Sequence, residues 1–245
     1  MEPVGKNNSG TSSPVARLAE MPLFPLPMVL FPHMPLPLHI YEERYKEMID
    51  RCVRESAPFG IVLATGTGVG TGVGTGTVET SAIGCSARIA RVERLPDGKM
   101  NIEVIGENRF RILDTHERRA YRTGLTEVFE DRPGNPPALA PLVDEVQRLL
   151  RDFQARRLAL EGRSMPHCEL PSDPTCLSFI AARELPIDND EKQSLLSEDS
   201  AQERLAAERE ILLREVTRLR RAAESRQIVW KRISSEPYAV YICAN

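Results

Sequence analysis

Aromatic residues are scarce in this chain. They make up 5% of 245 residues, with a single tryptophan. A reader of single-stranded nucleic acid stacks bases on rings set in a basic stripe. Here the rings are few and the formal net charge is −3. Cysteine is sparse too: five residues, odd in number, widely spread and without a C-x-x-C pair. That excludes a disulfide framework and a paired-thiolate zinc site, and it suits reduced thiols in a cytoplasm. The four histidines (His33, His39, His116 and His167) are scattered, and none has a ligand spacing such as H-E-x-x-H. No apolar run reaches membrane-spanning length. The N-terminus lacks the charged, apolar, then small-residue order of a secretory signal. No nucleophile stands with a companion base, so no catalytic residue, cofactor or metal is expected.

The run from Thr65 to Thr77, T-G-T-G-V-G-T-G-V-G-T-G-T, is rich in glycine but contains no lysine. A phosphate cradle needs a lysine and a hydroxyl directly after its last glycine. A dinucleotide fingerprint needs a helix opening behind it, and the residues after Thr77 are strand-like. The run reads as a flexible loop between strands.

Proline is abundant where structure would be least expected to tolerate it. Met21 to Ile40 holds Pro22, Pro25, Pro27, Pro32, Pro35 and Pro37 among large apolar residues. Proline breaks a helix and cannot donate within a central strand. The stretch therefore reads as a stiff ribbon of short edge strands. Leu23, Phe24, Leu26, Val29, Leu30, Phe31, Leu36 and Leu38 would be pressed onto a core.

Around this ribbon the chain divides into four parts: a polar leader over 1–20 expected to be disordered, a β-domain over 21–131, a helical part over 138–225, and a tail over 226–245. Tyr41 to Glu55 has an apolar face at helical spacing. Phe59–Ala64 is a buried strand. Ala82–Arg94 alternates until its phase slips at Ala90, which predicts a bulge. Leu95–Lys99 is a turn with Gly98 in the left-handed position. Met100 onward is strand, Gly106–Asn108 a second turn, and Arg109–Thr115 and Tyr121–Phe129 further strands. After the Pro- and Gly-rich boundary at 132–141, Leu139, Leu142, Val143, Val146, Leu149, Leu150 and Phe153 form a helical stripe. Glu161–Pro171 has no clear period. Asp173-Pro174 opens a second helix, Asp188 with Glu191 a third, and Ser200 with Glu203 a fourth running to about Glu224. A helix of that length either packs along its bundle or pairs with a second chain. The tail from Gln227 alternates weakly and would fold back.

Five segments, in order, resemble the N-terminal, substrate-binding domain of Lon proteases. They are L-F-P-L-P-M-V-L-F-P-H-M-P-L-P-L-H-I-Y-E-E-R-Y (Leu23 to Tyr45), I-G-C-S-A-R-I (Ile83 to Ile89), L-P-D-G-K (Leu95 to Lys99), G-E-N-R-F-R-I (Gly106 to Ile112) and L-S-F-I-A-A-R-E-L-P-I-D-N-D-E-K-Q-S-L-L (Leu177 to Leu196). The resemblance implies an α+β fold: a PUA-like, mostly antiparallel β-domain, then a helical bundle with a long C-terminal helix. It implies recognition of protein or unfolded-peptide clients without chemistry, with a protease or chaperone to receive them. Lon's ATPase and peptidase motifs are absent before Asn245, as in a free-standing member of the family. The alternative is RNA binding through the PUA-like fold, which the missing basic footprint disfavours.

Tyr41, Tyr45 and Phe110 are expected near a groove between the β-domain and the helices, with Arg44 and Arg109 at its rim. The competing reading of Glu42, Arg44, Arg109 and Arg111 is plain ion pairing between the first helix and a strand. A second copy could pair through the helix over 200–224.

Overall fold

The structure, a computed structural model, describes residues 17–65, 79–132, 134–164 and 169–235, with side chains described over 18–225 of these. The elements are β1 Arg17–Leu26, β2 Pro35–Ile40, α1 Glu43–Glu55, β3 Phe59–Ala64, β4 Thr80–Arg94, β5 Met100–His116, β6 Thr123–Val128, α2 Pro136–Leu160, α3 Pro174–Glu184, α4 Asn189–Ser197 and α5 Ala201–Ser235. The sheet order is β2-β5-β4-β3-β1-β6, and β5 pairs again with β6. That second pairing closes β1, β3, β4, β5 and β6 into a barrel. Strand β5 serves two partners in succession: Met100–Ile105 holds β2, and Phe110–His116 holds β6. The fold is α+β, mixed through one parallel pair, β1 with β3.

The proline ribbon is only partly the edge structure its sequence predicts. Strand β1 lies between β6 and β3. The two ladders succeed one another, with Arg17–Pro22 pairing with β6 and Leu23–Leu26 with β3. The Leu23 N–H bonds the Arg122 carbonyl at 2.9 Å, so the odd-numbered residues of β1 face β6. Pro25 then turns its missing donor to the side where β6 has ended. Pro22 turns its own toward β3, before that ladder has begun. Neither proline removes a ladder bond, which is how a proline-bearing strand can stand inside a sheet.

Strand β2 is a true edge. The Met34 carbonyl accepts from the Gly106 N–H at 3.0 Å, so even-numbered residues face β5, and Pro35, Pro37 and His39 face outward. Pro32-His33 makes the turn between, with His33 at φ 62° and the Met34 N–H bonded to the Phe31 carbonyl at 3.2 Å. This is the positive φ that the third residue of a type II turn requires.

The turn expected at Gly106–Asn108 does not exist, because β5 runs through it. Gly106 is there for close approach: it bonds both Met34 and His33, and a Cβ on it would lie 2.2 Å from the Phe31 carbonyl oxygen. Gly98 does take a positive φ, 78°, in the Leu95–Lys99 turn. The phase slip near Ala90 is a register shift between Ile89 and Arg91, and a second shift falls between Cys85 and Ala87.

Within the ribbon, neighbouring residues serve different cores. Val29 and Phe31 join Leu63 and the apolar stripes of α2 to α5. Leu30 packs with Phe24, Phe59 and the Met48, Ile49 and Cys52 face of α1. One of these cores thus crosses the boundary drawn at 132–137 and joins Val29, Phe31 and Leu63 to the helices. Helix starts agree with their caps: Asp173 accepts from the Cys176 N–H at 2.7 Å, Asp188 from Glu191 at 2.8 Å, and Ser200 from Glu203 at 3.3 Å. Helix α5 extends past the expected end near Glu224 to Ser235, a length of about 50 Å. It runs parallel to α2, with Arg209 beside Glu145 and Arg220 bonded to Asp152 at 3.0 Å. Most of the leader, the Gly-Thr run over 66–78 and the tail beyond 235 lie outside the described residues.

Candidate recognition surface

The junction of β2 and α1 gathers three of the five expected site residues. Phe24 from β1 lies 4.3 Å, centroid to centroid, from the Tyr45 ring and 6.2 Å from Phe59 of β3. Tyr45 is thereby fixed on the core, and burial pushes its hydroxyl pKa up, with Arg44 opposing. The Arg44 guanidinium sits 4.6 Å over the Tyr45 ring and is held by Glu42 at 2.7 Å. Tyr41 is 55% exposed, and its ring stacks on His39 at 6.3 Å. His39 Nδ1 bonds Asn101 Oδ1 at 2.8 Å, and the Asn101 amide donates to Glu93 at 3.3 Å. A shallow cleft of about 280 Å³ opens beside His39 on the outer face of β2, β5 and β4, lined by Pro37, Arg91, Glu93, Asn101 and Glu103. The result is a ring and guanidinium platform on a braced edge.

Of the other two expected residues, Phe110 is not exposed beside a groove and Arg109 is not at a rim. Phe110 is fully buried inside the barrel with Met21, Leu23 and Val62. It fills the space left by Gly60 and Gly84, where a Cβ would come within 2.5 Å of Phe110 and of the Ile61 carbonyl respectively. Arg109 is 4% exposed. It pairs with Asp131, donates to the Leu196 carbonyl at 2.9 Å and to that of Glu198, and lies 4.4 Å over the Phe129 ring. Alternation places both correctly on β5; it does not give the depth at which the helices cover that strand.

Asp131 also binds Arg204, whose Nε donates to Ser178 Oγ at 2.8 Å and whose Nη1 donates to the Glu198 carbonyl at 2.7 Å. Thr175 Oγ1 donates to the same carboxylate at 3.1 Å. Burial pushes Arg109 down to about 10, against the pull of Asp131, so it stays charged at neutral pH. This cluster ties β5 to α3 and to the α4–α5 junction. Asp131, Ser178 and Arg204 are not among the residues expected from sequence. A signal is nevertheless present: positions 204, 208 and 215 fall on the buried stripe of α5 with Leu205, Leu212 and Val216, yet carry Arg, Glu and Glu. Of the ion pairs expected at Glu42, Arg44, Arg109 and Arg111, Arg44 pairs with Glu42, Arg111 with Glu127 and Arg109 with Asp131. None bridges α1 to a strand.

Among the described residues, no group of His, Cys, Asp and Glu is placed to hold a metal. Cys52 and Cys85 are buried, and burial raises both thiols, Cys52 to about 11. Neither suits a nucleophile. No helix among these residues is long and apolar enough to cross a membrane.

A sequence model of the ATP-dependent protease La (LON) substrate-binding domain matches residues 20–214. The chain belongs to this family. The LON-domain match is to the substrate-binding part rather than to an ATPase or peptidase part. Lon protease 2 of Herpetosiphon aurantiacus is 26% identical over 209 residues, covering 82% of this chain and 24% of the relative. Lon protease 1 of Thermus thermophilus is 29% identical over 140 residues, 56% of this chain and 18% of the relative. The chain thus spans about a quarter, or less, of the curated relatives it matches. The N-terminal domain of a Mycobacterium avium complex Lon protease superposes with a TM-score of 0.60 at 22% identity, covering 79% of this chain and 98% of that one. A Lon N-terminal domain protein from Xanthomonas campestris gives 0.53 at 24%, covering 77% and 96%. These two likenesses establish the fold.

Proposed function

We propose that this LON-family chain holds segments of other polypeptides and carries out no chemistry of its own. The clients are unfolded or extended protein segments, met in the cytoplasm and passed to a protease or chaperone. The observation that carries the reading is the platform of Tyr41, Arg44 and Tyr45. It presents an exposed ring and a pinned guanidinium on a border that prolines keep rigid. Rigid rings and arginine give contact area at little entropic cost.

The test is fluorescence anisotropy with a labelled, carboxymethylated protein that cannot refold. Tyr41→Ala and Arg44→Ala, both at exposed positions, should each weaken capture by about tenfold, the scale of an interface anchor. Unchanged capture by both variants, in folded protein, would overturn this site. Wild-type protein that ignores the unfolded client would overturn the recognition reading as a whole.

A further inference from the structure

The first half of β1 has a free side. Its odd-numbered residues bond β6, so the N–H and C=O groups of Leu18 and Glu20 point the other way. Strand β3 begins pairing only at Leu23, and no other strand lies along Leu18–Glu20 among the described residues. All three residues there are exposed. On the outer face beside this edge, Leu18 stands opposite Glu127 and Glu20 opposite Leu125, while Leu125 also faces Asp114 of β5. Leu18, Leu113 and Leu125 are 57%, 49% and 36% exposed. Among the described side chains, the charges around them are the carboxylates of Glu20, Asp114 and Glu127 and the guanidinium of Arg111, which pairs with Glu127 at 3.5 Å. Among the described residues, Glu20 accepts from the Thr123 hydroxyl at 3.3 Å, and Asp114 lies 3.6 Å from His116.

We propose that this edge receives an extended polypeptide as an added strand, and that it selects segments with an apolar and a basic side chain two residues apart. An added strand meets the backbone groups of Leu18 and Glu20. Its side chains alternate, so those two apart share the outer face. One then packs on Leu18 and the next lies beside the Glu20 carboxylate. The acidic surround argues against the other occupants of such a face. A second copy would bring like charges together, and phosphate-bearing lipid or RNA would be repelled. The proposal rests on the reading of the chain as a polypeptide binder. It adds a second place, on the first half of β1, and a client chemistry.

The test uses two short synthetic peptides of identical alternating apolar pattern, one with Lys and one with Glu at the charged positions. Wild-type protein should bind the Lys peptide at least about fivefold more tightly at low salt, the scale of reversing one exposed ion pair. Binding should protect the Leu18 and Glu20 amides from hydrogen exchange. Leu18→Pro removes the outward N–H without touching the β6 ladder, and should cost about tenfold, the scale of a lost hydrogen bond with its apolar contact. Leu125→Ser should also weaken binding. Equal binding of both peptides, or binding without amide protection, overturns the edge site. If the carboxymethylated client still binds through Tyr41 in that case, the general reading survives alone. If no peptide and no client binds, both fall.

Discussion

Replacing Asp131 by Ala leaves two buried guanidiniums without the carboxylate that bonds both of them. Their side chains are 3% and 0% exposed, and that of Asp131 is 9% exposed, so solvent screens the site little. Breaking a buried pair by removing one partner costs about 3–5 kcal/mol. In a chain of this size each kcal/mol lowers the melting midpoint by about 2–4 °C, so the expected fall is about 6–20 °C. The comparison that isolates the cause is Arg204→Met. It removes one cation, keeps the Arg109–Asp131 pair and leaves an apolar stem against Phe179, whose ring lies 4.1 Å from the Arg204 guanidinium. It should therefore cost clearly less than Asp131→Ala. Urea unfolding of both variants measures the difference. If Asp131→Ala loses no more than Arg204→Met, charge imbalance is not what the site guards against and the argument fails.

Gly106→Ala places a Cβ 2.2 Å from a backbone oxygen, which cannot swing aside, and should destabilise by about 1–3 kcal/mol or more in the same assay. Glu208 is fully buried, neither carboxylate oxygen has a partner, and burial raises its pKa well above the ordinary value, with Arg204 opposing. Its folded pKa exceeds the unfolded one, so the folded state binds the proton more tightly. Its contribution to stability is greatest below the unfolded pKa of about 4.3 and declines as pH rises from there toward the folded value. Glu208→Leu should remove this decline and raise the melting midpoint at neutral pH relative to wild type; a lower midpoint there would contradict the assignment. Cys176 is half-buried while Cys52 and Cys85 are buried, so mass-mapped alkylation of native protein should label Cys176 before either.

Much of this fold is legible in spacing alone. The stripe from Val143 to Phe153, the strand Phe59–Ala64 and the caps at Asp173, Asp188 and Ser200 depend on local rules that tertiary contacts do not override. Gly106 misleads because a glycine between two polar or apolar neighbours carries the same local signature whether the chain turns there or another segment passes close by. The expectation for Arg109 and Phe110 fails for a related reason. Their alternation fixes a side of the strand, but what lies over that side is set by distant residues: for Arg109 the carbonyls of Leu196 and Glu198, 87 and 89 residues away, and for Phe110 the barrel interior with Met21, Leu23 and Val62. Asp131 sits in a segment whose prolines and glycine mark a boundary, and boundaries give no hint that one of their residues is buried. Tyr41 and Tyr45 share the apolar face read for the first helix, yet Tyr41 lies before α1 and is exposed while Tyr45 packs on Phe24, because the spacing does not fix where the helix begins.

The prolines also sort the two strand edges. An exposed edge invites pairing with any passing chain, and proteins blunt it by removing donors or adding charge. On β2 the outward residues are Pro35, Pro37 and His39, so that side offers carbonyls and one N–H. An incoming strand would find acceptors with a single N–H to donate back, and pairing there is suppressed. On β1 the two prolines stand where their lost donors cost nothing, and the outward N–H groups of Leu18 and Glu20 are intact. Glu20, Asp114 and Glu127 stand around that side, so it is blunted by charge alone. Charge, unlike a missing donor, discriminates: it repels acidic segments and admits basic ones. Transferring proline to Leu18 should make the second edge as closed as the first, and relieving Pro37 with Val should open β2 to the peptides it now refuses. Strand-edge exchange rates measured on both variants decide whether proline placement controls access.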